Sequence, residues 1–357
     1  MNINAFFLTS FRIVLIPLAL LYGMLVWVRN KLFDKKILKS ATFGIPIINV
    51  GNIAVGGTGK SPMVLYLLHL LQPHFEVATL SRGYKRKTKG YVLANAESTA
   101  IEIGDEPMLF HQQFPDVAVA VGEERLVAIP QLLQDKPNTQ VVVLDDAFQH
   151  RWVQAGLNIL LTEYQNLYIN DFFLPTGDLR DSKQSAKRAD IIIVTKCPPT
   201  LSEAERRKIT EQLQPQTHQT VYFTCLQYGT PYHITTKQER TITADDEVLV
   251  VCGIANPKPL QQYVQQHAHT YYFQSFKDHH IFSIDDVEQI QKKLAELDAP
   301  KKYILTTQKD AVRLEKFADV LQNIPMYVLP VQHEFMFGTA NAFEQQISTF
   351  IKNYTTP

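Results

Sequence analysis

Apolar runs of strand length recur along the first two thirds of the chain: GIPIINV from Gly44, FEVATL from Phe75, VAVAV from Val117, VVVLDD from Val141, LNILLT from Leu157 and IIIVTK from Ile191. Amphipathic stretches of helical length separate several of them. Runs that are apolar at nearly every position, not at alternate ones, predict strands covered on both faces, hence a doubly wound, mostly parallel α/β sheet. The segment YVLANAESTAIEIGD from Tyr91 has room for an extra strand or hairpin off that sheet. After Cys225 the pattern changes. The polar stretch QYGTPYHITTKQERTITADDE reads as a linker or β-type excursion, and a second strand-helix series then begins at EVLVVC and ends near IPMYVLPV. The predicted organisation is a hydrophobic segment over 1–36, a main α/β domain over 37–225 and a smaller α/β lobe over 226–357. A cleft between two such lobes is a common place for two-substrate chemistry.

The N-terminal run IVLIPLALLYGMLVWV, from Ile13 to Val28, is uncharged, with Arg12 before it and Arg29, Lys31, Lys35 and Lys36 after it. It is apolar nearly all round and falls short of the roughly 20 residues that span a hydrocarbon core, so it predicts a membrane-associated helix, either tilted across or lying in the interface. Positive charge after the run, and no small-residue cleavage site, argue against a secretory signal. The same charge keeps the body of the protein on the cytoplasmic side.

Composition adds exclusions. Lys+Arg and Asp+Glu both number 35, so no overall basic field points to nucleic acid. Cys197, Cys225 and Cys252 lack C-x-x-C spacing, which argues against a zinc site or a disulfide framework.

The strongest chemical signal follows the first strand. In INVGNIAVGGTGKSP the pattern G-x-x-x-x-G-K-[ST] is matched from Ala54 through Val55, Gly56, Gly57, Thr58, Gly59, Lys60 and Ser61, with only the first glycine replaced. Glycines let successive N–H groups converge on phosphate oxygens, Lys60 reaches the β- and γ-phosphates, and Ser61 offers its hydroxyl to Mg²⁺. Pro62 is tolerated in the first helical turn. The bland alternative is a ligand-free turn; an apolar strand before it and a helix after it favour phosphate. A phosphate-loop NTPase fold follows from that placement.

Other residues gain meaning from that loop. Asp145 and Asp146 close the run VVVLDD, where a carboxylate at a strand end can hold a nucleotide's Mg²⁺ together with Ser61. His150, alone, reads as structural or phosphate-side. Asp105 and Glu106 open a helix with Pro107 in its first turn; capping suits Asp105 by residue type, and a base for an alcohol nucleophile is the sharper alternative. Asp278, His279 and His280 have no third ligand at metal spacing, so one histidine entering the interlobe cleft is favoured over zinc. The basic run Arg82, Lys85, Arg86, Lys87 and Lys89 suits either a solvated loop or an anionic partner. Arg180, Asp181, Lys309 and Asp310 show no role unaided.

Taken in order, GNIAVGGTGKSP, LSRGYKRKTKG, GDEP, LDDAFQH, LPTGDLR, FKDHH and TTQKDAVRL strongly resemble the tetraacyldisaccharide 4'-kinases of lipid A synthesis, over nearly the whole chain. The resemblance implies transfer of the γ-phosphate of ATP, with Mg²⁺, to the 4'-hydroxyl of an acylated glucosamine disaccharide 1-phosphate at the cytoplasmic face of the Gram-negative inner membrane. It implies Asp105 as base, paired with His279, and assigns Asp145 and Asp146 to Mg²⁺ and nucleotide phosphate. Arg180 is placed near the phosphates or the substrate. No protein partner and no nucleic acid are implied. Asp181 stands where the family often has glutamate, and Gln308 where T-E-K-D is common. Two rival readings are a phosphate-loop switch or metallochaperone-like protein, and a nucleotide-dependent ligase. The anchor and the GDEP and DHH motifs disfavour the first.

Overall fold

The computed structural model describes residues 12, 14–268 and 270–355. Residues 1–11 and 13 of the expected hydrophobic segment lie outside them. β-Branched residues fit a pleated surface buried on both sides, and each Val/Ile run forms a strand. The first series comprises β1 (Ile47–Gly51), β2 (Val77–Ser81), β3 (Val92–Leu93), β4 (Ala118–Val121), β5 (Val141–Asp145), β6 (Leu157–Glu163), β7 (Ile191–Thr195) and β8 (Thr220–Tyr228). The second comprises β9 (Tyr232–His233), β10 (Glu247–Cys252), β11 (Thr270–Ser275), β12 (Lys302–Thr307), β13 (Met326–Leu329) and β14 (Val331–Phe335).

A 9-stranded sheet runs β14-β8-β7-β6-β1-β5-β2-β4-β3. It is parallel except at its two edges, where β3 pairs antiparallel with β4, and β14 with β8. The chain builds β2 and β4 to one side of β1, returns through β5, and continues on the other side with β6 to β8. The carboxyl ends of β1 and β5 therefore open at a topological switch point, where open α/β sheets bind ligands. The pairing of Val50 with Asp145 sets the start of the phosphate loop directly beside the β5 acids. The helix Lys60–Leu71 leaves that loop with Met63, Val64, Leu67 and Leu68 fully buried, as expected for a helix covered on more than one face.

The second sheet, β11-β10-β12-β13-β9, has 5 strands, parallel except for the edge strand β9. The C-terminal segment departs from the predicted boundary. β14 returns to the first sheet, and Phe343, Ile347 and Ile351 of the helix Ala340–Lys352 enter the same core as Ile48 and Leu67. The reason is packing: the helix Lys60–Leu71 is too apolar to be left open, and this returning segment covers it.

The N-terminal helix Ile16–Asp34 spans 19 residues and, among the described residues, is the one helix long and apolar enough to cross a membrane by length and composition. Leu18, Leu20, Leu21, Met24, Leu25 and Trp27 are all more than half exposed. Its polar side is tied down. Asn30 Nδ2 donates to the buried Asp181 Oδ1 (2.7 Å), Arg29 to the Gln149 carbonyl (2.7 Å) and Tyr22 to the Arg180 carbonyl (2.9 Å).

Candidate active site

The phosphate loop takes the conformation that its glycines permit. Gly56 and Gly59 have φ of +112° and +88°, and nothing among the described residues lies within 4 Å of where a Cβ on Gly56 or Gly57 would project. Thr58 turns inward: its hydroxyl accepts from Asn52 Nδ2 (3.0 Å), and its carbonyl from Thr195 Oγ1 (2.9 Å). Gly59 lies against a histidine from the far end of the chain, whose Cε1 is 2.9 Å from the position of an added Cβ. That residue, His333, meets the Gly59 carbonyl through Nε2 (2.8 Å) and the Thr224 hydroxyl through Nδ1 (2.9 Å).

Ala54, Val55, Gly56, Lys60 and Ser61 line a cleft of about 850 Å³, together with Asp145, Asp146, Arg180, Arg82 and residues of the N-terminal helix. Lys60 Nζ lies 3.8 Å from Asp146 Oδ1. Burial pulls the Lys60 ammonium below its ordinary range, against the opposing pull of Asp146. Asp146, in a left-handed conformation at φ +52°, is gripped by Arg180, whose Nη1 donates to Oδ2 at 3.1 Å. Arg180 also donates to Asn52, so one guanidinium joins the loop's entry strand to the β5 acid.

Asp145 is different. It is buried, and among the described residues its Oδ2 accepts only a long bond from Ser81 (3.3 Å) and its Oδ1 has no partner. Burial, with the neighbouring charges of Asp146 and Glu106, pushes its carboxyl up to about 7. A carboxylate oxygen left open in this way, at the wall of the cleft, suits a hard cation. Arg125, 3% exposed and also part of the cleft wall, donates to the Asp145 carbonyl (3.3 Å), and burial lowers it to about 10. His150, on the cleft wall, is pushed down to about 4 by burial and by Arg125, so it is a neutral ring at neutral pH.

Asp105 does not cap its helix. Gly104, at φ +95°, occupies the cap position of the helix Asp105–Gln113, and the Asp105 carboxylate crosses to the second lobe. Its Oδ2 lies 2.8 Å from His279 Nδ1, and Arg313 donates to both of its oxygens. Burial alone would raise the Asp105 carboxyl; hydrogen bonds from His279 and Arg313 outweigh it and hold the group well below the usual range. His279 sits at φ +63° with its ring T-shaped to Tyr84, centroids 5.4 Å apart. His280 points elsewhere, to Asp286 at 3.0 Å. The pair itself is outside the cleft lining, but Glu106, Pro107 and Tyr84, which adjoin it, form part of that wall.

Of the basic run, Arg82 lines the cleft, whereas Arg86 is tied to Glu123 at 2.7 Å. Asp181 also lines the cleft, with its carboxylate held by Asn30, Ser185 and Arg188. Among the described residues no cluster of three metal-ligating side chains exists.

A family model described as tetraacyldisaccharide-1-P 4'-kinase (LpxK) matches residues 11–352. The chain belongs to this family. A relative from Flavobacterium johnsoniae, named tetraacyldisaccharide 4'-kinase, is 45% identical over 349 residues, covering 97% of this chain and 99% of its own. A relative of the same name from Bacteroides thetaiotaomicron is 42% identical, covering 96% and 93%. Among solved structures, LpxK from Aquifex aeolicus in complex with ATP superposes with a TM-score of 0.74 at 27% identity, covering 96% of this chain and 99% of that one. The matched residues 11–352 span both sheets and the helix Ala340–Lys352.

Four residues of the site escaped the motif reading: Asn52, Arg125, Arg313 and His333. Asn52 and Arg313 stood in quoted motifs without a role, and Arg125 and His333 carry no local signal, since the residues they meet, Asp145 and Gly59, are distant in sequence.

Proposed function

We propose that this protein transfers the γ-phosphate of ATP to the 4'-hydroxyl of a tetraacylated glucosamine disaccharide 1-phosphate. Family membership over residues 11–352 carries this reading, and the geometry supports a division of labour. The loop Ala54–Ser61 cradles the nucleotide phosphates with its N–H groups, and Lys60 follows the β- and γ-phosphates. Ser61 and Asp145, with Asp146 beside them, fit Mg²⁺: the unpartnered Asp145 oxygen is a hard ligand, and one or two carboxylates plus phosphates is how this ion is usually held. When bound, the ion neutralises charge on the phosphates.

The larger lobe thus holds nucleotide, and the smaller lobe contributes His279. The Asp105–His279 pair takes the proton of the acceptor hydroxyl as its oxygen bonds to the γ-phosphorus and the bond to the β-phosphate oxygen breaks, releasing ADP. Arg180, already fixed on Asp146, is placed to stabilise charge on the transferring group. The exposed apolar face of the N-terminal helix, followed by Arg29, Lys31, Lys35 and Lys36, supports seating at the cytoplasmic membrane interface, where an acylated substrate resides.

The test is transfer of labelled γ-phosphate from Mg²⁺-ATP to the purified lipid acceptor in detergent micelles, with Lys60→Ala as control. Labelled lipid that disappears in the variant supports the reading. Phosphate released to water at one rate with and without lipid would sink it in favour of a nucleotide switch.

A further inference from the structure

The segment TTQKDAVRL plays no part in the phosphate loop, yet it reaches the Asp105–His279 pair. Thr307 caps the helix Gln308–Leu314, its hydroxyl accepting from the Asp310 N–H at 3.1 Å. Thr307, Asp310 and Arg313 recur every third position and share one helix face. Asp310 is fully buried. Its Oδ2 accepts from the Thr307 hydroxyl (2.7 Å) and from the Gly253 N–H (3.0 Å), and its Oδ1 from Arg313 Nη1 (3.2 Å). The other prongs of the guanidinium cross the lobe boundary: Nε donates to Asp105 Oδ1 at 2.9 Å and Nη2 to Oδ2 at 2.6 Å.

The hydrogen-bond inventory then sets the tautomer of His279. Its Nδ1 lies 2.8 Å from Asp105 Oδ2 and 3.1 Å from Arg313 Nη2. An ionised carboxylate only accepts, so the shorter contact needs a proton on Nδ1, which leaves the ring lone pair on Nε2. We propose that Arg313, anchored by Asp310, is a positioning residue for phosphoryl transfer, holding Asp105 ionised and aimed at Nδ1 so that His279 Nε2 accepts the hydroxyl proton. The inference rests on the assignment of the Asp105–His279 pair given above. The proton moves from the hydroxyl to Nε2, the imidazolium is balanced by Asp105, and Arg313 is unchanged. Among the described residues the groups facing His279 are Asp105, Arg313, Asp278 (Oδ2 3.7 Å from Nε2) and the Tyr84 ring, flanked by the Glu106–Lys309 ion pair at 2.6 Å.

The alternative is a strut that only joins the lobes. Kinetics against pH, with lipid acceptor and Mg²⁺-ATP on the full chain, separates the two for R313Q, R313K, D105N and D105N/R313Q. R313Q is expected to lower kcat by at least about 10-fold with the KM for ATP within about 2-fold. Its acid limb is expected to move to higher pH, because a cation beside the imidazole is gone and protonation becomes easier. R313K keeps the charge but not the fork, so kcat falls while the limb stays near its wild-type position. In the D105N background R313Q adds less than about 3-fold, as for residues acting through one another.

Wild-type turnover in R313Q overturns the proposal. So does a fall in kcat matched by lost thermal stability with an unmoved limb. If R313Q does not fold, R313K at the wild-type rate overturns it alone. Near-normal turnover in D105N would remove the underlying pair assignment, a separate failure from that of Arg313.

Discussion

His333 Nε2 lies 2.8 Å from the carbonyl oxygen of Gly59, joining the returning strand β14 to the residue that opens the phosphate-loop helix. The ring is buried, and burial lowers it to about 4, so it folds neutral. A histidine whose folded value lies below its unfolded one stabilises the fold fully above about 6.5, and that contribution is lost as pH falls toward 4. From the shift, roughly 3 kcal/mol is at stake. Denaturant unfolding across that range is expected to show the decline in wild type and a flatter profile in His333→Gln. The substitution is also expected to weaken ATP binding several-fold by loosening Gly59, measurable by calorimetry. An unchanged acid slope would show that other groups govern it.

Asp145 is expected to be costly to stability and necessary to turnover. Its carboxylate is buried beside Asp146 with one oxygen unpartnered. Asp145→Asn should therefore raise the melting temperature in EDTA, by about 1 kcal/mol of stability, while reducing turnover by roughly 100-fold or more. A variant that is both less stable and active would contradict the metal assignment.

Asp181 holds the N-terminal helix to the body. It is 1% exposed and accepts from Asn30, Ser182, Ser185 and Arg188. Asp181→Ala leaves the Asn30 amide and the Arg188 guanidinium short of a partner, and a loss of about 3 kcal/mol is expected. Limited proteolysis should then cut between the helix and β1. Full resistance to cleavage would assign the attachment to other contacts.

Leu20 and Leu21 are 69% and 51% exposed. Changing both to Ser is expected to leave denaturant stability within about 0.5 kcal/mol, as for surface positions. Co-sedimentation with anionic phospholipid vesicles should fall several-fold. Equal sedimentation of both proteins would place membrane contact elsewhere.

Much of this protein is legible along the chain, because the signals are local. Val and Ile runs mark strands wherever both faces are buried, and the spacing from Ala54 to Ser61 marks a phosphate loop because one turn of backbone does the binding. The acids after β5 are legible for the same reason, as they end a strand whose neighbour is the loop's own strand. The motif run that includes GDEP and DHH resembles a known family closely enough to pair Asp105 with His279. Residue type alone would have left Asp105 as a helix cap.

Tertiary structure settles what depends on distant chain segments meeting. Gly104 takes the cap position, which frees Asp105 to cross the lobe boundary to Arg313, 208 residues away. His333 reaches Gly59 only because β14 leaves the second lobe and pairs with β8. The sequence from 331 to 352 reads as a continuation of the smaller lobe, since strand and helix patterns carry no mark of which sheet they join. In the fold the returning segment packs against the apolar helix Lys60–Leu71, burying Phe335, Phe343, Ile347 and Ile351 in one core with it.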